Sequence, residues 1–336
     1  MSKKIGINGF GRIGRQVLRA ILERHPDSIE VVAINDLFPS ETNAHLLKYD
    51  STYGPFQGTV AADNGALVVD GHRIKILAQR DPAAICWADL GVEVVIESTG
   101  VFTDANMAKA HIESGGARKV IISAPAKNED ITIVLGVNGD QYDPENHQVI
   151  SNASCTTNGL APVAKVLYDR FGIQKGILTT VHAYTNTQRL QDLAAKDMRD
   201  ARSAGQNIVP AATGAAKAVG LVIPKLQGKF GGMAFRVPTP TVSVIDFTAV
   251  LDQVATRDQL RQAMLDYAQG SMKGILEVTD EPLVSTDLKG STFSSIFSAV
   301  DTIVIDNLVK VVAWYDNEWG YACRTADLAA IIAGKL

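Results

Sequence analysis

Cysteine is scarce in this chain: the three present, Cys86, Cys155 and Cys323, show no paired spacing among 336 residues. That argues against a disulfide framework, leaves no metal site to expect, and points to free thiols in a reducing compartment. Long apolar runs are missing too. None approaches the roughly 20 residues that span a bilayer, and residues 1–4 lead into a strand-like segment without the apolar stretch of a secretory leader. A cytoplasmic location and no membrane partner are expected. Nor is there an excess of positive charge. Lys and Arg number 32 against 36 Asp and Glu, a formal net charge of -4, so no nucleic-acid partner is evident, because such binding rests on clustered cations facing phosphates.

What is present is ordinary globular material, with 46% hydrophobic and 20% charged residues. A chain of this length fits two domains, each able to bury a core. In the first half, strand-like runs at 4–8, 29–34, 92–96, 119–123 and 131–135 alternate with helix-like stretches, the pattern of a parallel sheet covered on both faces. Asp70-Gly71 reads as a hairpin turn between 67–69 and 73–76. From about Ile173 the segments lengthen and alternate, as at 231–237 and 241–251, which suggests a mixed or antiparallel sheet with one face on helices. Helix-like stretches are expected at 256–269 and 317–332. No internal repeat or low-complexity linker is seen.

The first motif with chemical content is Gly9-Phe10-Gly11-Arg12-Ile13-Gly14, between the first strand and a helix expected over 12–23. Glycines there permit a tight turn and close approach of a pyrophosphate, whose charge the free N–H groups of the helix start favour. Asp36 ends the next strand, 36 − 14 = 22 residues beyond the last glycine, where a carboxylate can accept from the ribose hydroxyls and repel the extra phosphate of NADP. The cofactor expected is therefore NAD. The fold expected is α/β: a Rossmann-type dinucleotide-binding domain over 1–151, then an α+β catalytic domain with a mixed or antiparallel sheet over 152–316.

A second motif, Ser151-Asn-Ala-Ser-Cys155-Thr-Thr-Asn158, follows a strand end at 149–150 and opens a helix-like run to about Arg170. A thiol in the first turn meets the positive end of the helix dipole, which lowers its pKa. Cys155 is thus the best nucleophile in the chain, with Ser154 a helix cap. Cys86 and Cys323 read as small buried hydrophobes. The base that such a thiol needs is best supplied by His182, at the end of the apolar run 177–181. On residues alone, His182 stays open between base and structural histidine. His25, His45, His72, His111 and His147 are expected at the surface.

These motifs resemble one family. Residues 153–158 (Ala-Ser-Cys-Thr-Thr-Asn) are very close to the active-site signature of the glyceraldehyde-3-phosphate dehydrogenases, and 7–15 to their N-terminal fingerprint. His45-Leu-Leu-Lys-Tyr-Asp50, Glu97-Ser-Thr-Gly100, Thr213-Gly-Ala-Ala-Lys217, Arg236-Val-Pro-Thr-Pro240 and Trp314-Tyr-Asp-Asn-Glu-Trp-Gly-Tyr321 follow in family order. The resemblance implies a phosphorylating, NAD-dependent oxidation of glyceraldehyde 3-phosphate through a thiohemiacetal and a thioester on Cys155, with His182 as base and acid in a mutually stabilising ion pair. It implies further that Thr185, Arg199 and Arg236 surround the substrate phosphate, and Ser154, Thr156, Thr213 and Gly214 the attacking inorganic phosphate. Asn8, Arg12, Ile13 and Ser123, with Gly9, Gly11, Gly14 and Asp36, would line the dinucleotide. Asn317 would fix the nicotinamide carboxamide, and helix 317–336 would then complete the dinucleotide domain. The loop 183–206 resembles one that packs in a homotetramer. Leu193-Ala194-Ala195 stands where many NAD-using members carry proline, so the resemblance leaves the strictness of the NAD preference open. The sister erythrose-4-phosphate dehydrogenases, and an idle dinucleotide- or RNA-binding regulator on the same fold, are the alternatives.

Overall fold

In the computed structural model, which describes residues 2–336, the apolar runs of the first half form strands wherever every side chain can be covered. Val-Val-Ile-Glu and Lys-Val-Ile-Ile, the strands β6 and β7 below, are buried at all four positions, a condition met only inside a sheet with both faces covered. Contacts divide the chain into two units. One holds residues up to Ile133, Asp140–Ala153 and Ala322–Leu336; the other holds Val134–Gly139 and Ser154–Tyr321.

The first unit carries β1 (Lys3–Asn8), α1 (Arg12–Arg24), β2 (Ile29–Asn35), α2 (Ser40–Lys48), β3 (Val60–Asp63), β4 (Ala66–Val69), β5 (His72–Leu77), β6 (Val94–Glu97), α3 (Ala105–Ala108), α4 (Ala110–Glu113), β7 (Lys119–Ile122), β8 (Ile131–Thr132) and β9 (Val149–Ser151). Its sheet runs β3-β4-β5-β2-β1-β6-β7-β9-β8. All neighbours from β5 to β8 are parallel, and β3 and β4 form an antiparallel edge. The expected hairpin is there, with Asp70 and Gly71 both at positive φ. Chain order reverses between β1 and β6, so their carboxyl ends open the crevice where doubly wound sheets bind ligands. Residues 322–336 are tied into this unit by Asp327, which accepts from Arg24 Nε at 3.0 Å and meets His25 Nε2 at 2.7 Å.

The second unit carries α5 (Cys155–Phe171), β10 (Ile173–Ala183), β11 (Val209–Ala212), α6 (Ala215–Val222), β12 (Phe230–Val237), β13 (Ser243–Leu251), α7 (Arg257–Gln269), β14 (Leu276–Thr279), β15 (Ser295–Ile305), β16 (Leu308–Tyr315) and the start of α8 (Trp319–Gly334). Its sheet, β11-β12-β10-β13-β16-β15-β14, is mixed: β10 with β12 and β14 with β15 are parallel, the rest antiparallel. Strand β13 alternates buried and half-buried residues along its whole length, the signature of a sheet with one covered face. Among the described residues, no helix is long and apolar enough to cross a membrane.

Three local expectations fail for identifiable reasons. The run 131–135 is a strand only at Ile131–Thr132, because at Val134 the chain turns: Asn138 Oδ1 accepts the Val134 N–H and Gly136 takes a positive φ. His111 is not at the surface but wholly buried, where Trp87 Nε1 donates to its Nδ1 at 2.9 Å and Glu97 Oε2 lies 3.1 Å from its Nε2. Its polar neighbours in sequence gave no sign of these distant partners. Cys86 is exposed although Trp87 beside it is buried, because successive residues there point to opposite sides.

Candidate active site

Before α5 the chain turns sharply. Ala153 takes a left-handed backbone, φ 55°, which costs a non-glycine residue about 1 kcal/mol or more and persists at sites that need it. Ser154 Oγ then accepts the N–H of Thr157 at 2.9 Å, capping the helix, so that Cys155 stands as its first residue. Cys155 Sγ lies 3.5 Å from His182 Nε2. His182 comes from the end of β10, one residue before the strand stops.

Strand pairing sets the other side of the histidine. His182 on β10 is directly opposite Arg236 on the parallel β12, and the guanidinium reaches His182 Nδ1 and, at 3.3 Å, the carbonyl of Ala183. That same carbonyl is 2.7 Å from His182 Nδ1. In the tautomer that donates Nδ1–H to this carbonyl, Nε2 keeps its lone pair toward the thiol and Arg236 is a neighbour of Nδ1, not a donor to it. The Tyr315 ring stands edge-on to the imidazole at 5.9 Å, and its hydroxyl bonds Thr156 Oγ1 and Thr180 Oγ1, each at 2.9 Å.

The electrostatics differ from the expected ion pair. Burial pushes the Cys155 thiol up; the Arg236 charge and the hydroxyl and N–H of Thr156 act the other way without overcoming it. Burial, reinforced by Arg236, also drives His182 down to about 3. Both shifts favour the neutral forms of the pair. The helix start lowers the cost of a thiolate, but desolvation is larger. Burial likewise pushes the Cys323 thiol up, to about 12.

Each remaining anion-binding candidate has its own local setting. Thr156, in the first turn of α5, is buried. Arg199 Nη1 donates to the carbonyl of Pro210 at 3.4 Å, next to Val209, which pairs with Arg236. Thr185 Oγ1 shares a hydrogen bond with Thr187 at 3.0 Å, and Thr213 Oγ1 accepts the Ala215 N–H at 3.2 Å as α6 begins. A Cβ on Gly214 would meet nothing within 4 Å.

In the first unit the glycine loop has three distinct environments. Gly9 has φ 91°, and a Cβ there would come within 2.6 Å of Thr99 N; a Cβ on Gly14 would lie 2.2 Å from Gly9 O. A Cβ on Gly11 would meet nothing, so the loop is open at the middle glycine alone. Asp36 braces the loop, accepting from Phe10 N at 2.9 Å and from Phe38 N at 3.0 Å, with lone pairs left for further donors. Ile13 and Ser123 are half-buried. Asn8 is turned inward instead: its Nδ2 donates to Glu97 Oε2 at 2.5 Å, and its Oδ1 accepts from Asn35 at 2.7 Å. Arg12 Nη1 donates to Asp50 at 3.1 Å. In the second unit Asn317, 6% exposed, accepts from Ser243 Oγ at 2.9 Å.

Sequence reasoning missed Tyr315, Thr180 and Ser243 near the thiol, and Glu97 behind the loop. Tyr315 stands inside a family-like segment, which was a signal. Thr180 and Ser243 are ordinary strand residues, and nothing short of the fold distinguishes them.

Comparison with known proteins adds the following. A family model described as glyceraldehyde 3-phosphate dehydrogenase, NAD binding domain, matches residues 3–105, and one described as the C-terminal domain matches 154–317. The glyceraldehyde-3-phosphate dehydrogenase of Geobacillus stearothermophilus is 58% identical over 336 residues, 100% of this chain and 99% of the relative. Glyceraldehyde-3-phosphate dehydrogenase 1 of Streptomyces avermitilis is 55% identical over 100% of both chains, and that of Bacillus subtilis 56% over 100% and 99%.

Proposed function

From a chain that belongs to the glyceraldehyde-3-phosphate dehydrogenase family, we propose the family's phosphorylating reaction: D-glyceraldehyde 3-phosphate, inorganic phosphate and NAD give 1,3-bisphosphoglycerate and NADH. The observation that carries it is the Cys155 sulfur at the start of α5, 3.5 Å from His182 Nε2. The thiol gives its proton to His182 Nε2 as sulfur bonds the aldehyde carbon, and the proton passes to the new oxygen, leaving a thiohemiacetal. His182 then takes the hydroxyl proton while that carbon loses hydride and becomes a thioester. Bound NAD supplies the hydride acceptor. Phosphate oxygen attacks the thioester, the carbon–sulfur bond breaks, and the acyl phosphate leaves a thiolate that His182 reprotonates. Burial is the main cause that keeps His182 from protonating and the Arg236 charge the second; an anion on Arg236 offsets the second, so substrate phosphate makes the base stronger.

Thr185, Arg199 and Arg236 are assigned to the substrate phosphate, and Ser154, Thr156, Thr213 and Gly214 to the attacking one. Arginine suits the first through paired donors. The test is acyl-acceptor replacement: arsenate in place of phosphate should sustain NADH formation, since an acyl arsenate hydrolyses and removes the product. Erythrose 4-phosphate serves as the comparison aldehyde. Equally fast turnover with no oxyanion present would mean that water resolves the thioester, and the phosphorylating assignment would fall.

The glycine loop fits NAD: open at Gly11, closed at Gly9 and Gly14, and backed by Asp36. Asp36→Gly is expected to weaken NAD about tenfold or more, because charge-assisted hydrogen bonds are worth roughly 1.5–3 kcal/mol each. NADP should gain little, since Leu37, Phe38 and Pro39 offer no cation. Titration of both cofactors into wild type and variant checks this; unchanged NAD affinity would remove Asp36 from the ribose. A cytoplasmic homotetramer is the assembly proposed, supported by Leu190, Leu193 and Met198, which stand 83%, 65% and 87% exposed in the loop 183–206.

A further inference from the structure

The segment leading into β13 and the segment leaving β16 are joined by two side-chain bonds. Thr241 Oγ1 donates to Asp316 Oδ1 at 2.9 Å, and Ser243 Oγ donates to Asn317 Oδ1 at 2.9 Å. Ser243, 1% exposed, has a second partner: its oxygen accepts the N–H of Ala183 at 3.1 Å. With that lone pair engaged by a donor, the hydroxyl hydrogen is directed at an acceptor. The Tyr315 hydroxyl nearby is bonded by Thr156 and Thr180 and also interacts with the Ser243 side chain. Asn317 faces Ser243 with its amide oxygen, and no protein acceptor among the described residues bonds its nitrogen. Ala183, held by Ser243 through its N–H, is also the residue whose carbonyl lies 2.7 Å from His182 Nδ1.

One hydroxyl thus joins the peptide that orients the base to the side chain assigned to the nicotinamide carboxamide. Its backbone is imposed on the chain. Val242, immediately before it, has φ 65° and is 3% exposed, a left-handed conformation that a β-branched residue keeps only where its surroundings over-determine it.

We propose that Ser243 is a positioning residue that sets which end of the Asn317 amide is presented to the nicotinamide carboxamide and, through Ala183, holds the Nδ1 side of His182. The cofactor half rests on the NAD assignment above; the histidine half does not. Ser243→Ala leaves the Ala183 N–H without its acceptor and Asn317 free to turn over. Asn317→Ala removes the cofactor arm alone, because Ser243 still accepts from Ala183.

Two readouts on the full-length protein separate the arms. Without cofactor, the rate of Cys155 alkylation by iodoacetamide is followed against pH; the groups bearing on the sulfur are His182 on β10, Arg236 on β12, Tyr315 on β16 and the N–H groups of α5. With cofactor, NAD affinity is measured by calorimetry, together with the face of the nicotinamide that receives deuterium from a C1-deuterated aldehyde. Ser243→Ala is expected to shift the alkylation midpoint by about half a pH unit or more, to weaken NAD about fivefold, and to blur the facial selectivity. Asn317→Ala should weaken NAD comparably and keep the wild-type midpoint. A folded Ser243→Ala protein with a wild-type midpoint overturns the histidine link, one with wild-type NAD affinity overturns the Asn317 link, and a shifted midpoint in Asn317→Ala overturns the separation of the arms. Wild-type protein that fails to reduce NAD with the aldehyde and phosphate would overturn the proposed function, while the alkylation profile would still decide the histidine link.

Discussion

Cys155→Ser is expected to lower turnover by about four orders of magnitude or more, while NAD affinity stays within about twofold of wild type. A serine hydroxyl at this position can still hydrogen-bond His182, but its ionised form is far harder to reach than a thiolate, even one opposed by burial. No other thiol can stand in. Cys323 is buried with its thiol pushed up to about 12, and Cys86, although exposed, has no histidine bonded to it. The measurement is NADH formation by purified variant freed of host enzyme, beside calorimetric NAD titration. Turnover within about tenfold of wild type would mean that the acyl group is never carried on Cys155.

His182→Gln is expected to slow the reaction by about 10²–10⁴-fold, the usual contribution of a positioned acid–base group, and to change acid stability in the opposite direction. The folded-state pKa of about 3 lies below the 6.5 of an unperturbed imidazole. Below pH 6.5 the unfolded chain therefore takes up a proton that the folded chain refuses, and stability falls as pH drops from 6.5 toward about 3, by up to about 1.4 kcal/mol per pH unit. Glutamine does not titrate, so the variant should have a flatter acid limb. Denaturation midpoints between about pH 7 and pH 4 compare the two proteins. Parallel curves would show that His182 is protonated in the folded state, and the neutral-pair mechanism would have to be given up. Cys155 acts at the other end: its raised pKa makes stability decline above about pH 9, where only the unfolded thiol ionises.

Which parts of this site were readable in advance follows from how local their causes are. Gly9, Gly11 and Gly14 occupy three different environments within six residues, and each need is met or broken by the residue itself. The cap at Ser154 and the thiol at Cys155 depend likewise on neighbours within one helical turn. His182 could be placed at a strand end but not given a role, because its partners lie 27 residues before it and 54 after it. His111 was misplaced for the same reason: its polar neighbours in sequence are not its neighbours in the fold.

The sequence by itself determined most of the elements, the alternation that makes a parallel sheet and then a mixed one, the glycine loop, and the placement of Cys155 at a helix start. These follow from backbone preference, side-chain period and helix-end electrostatics, which act over a few residues. Only the tertiary structure set the desolvation of Cys155 and His182, which depends on everything packed around them and pushes both toward their neutral forms. It alone placed Arg236 beside the imidazole, through the register of β10 against β12, and joined Ser243 to both Ala183 and Asn317. Hydrogen bonds and burial are properties of position in space, and residues 60 and 74 apart in the chain become partners only when the sheet has formed.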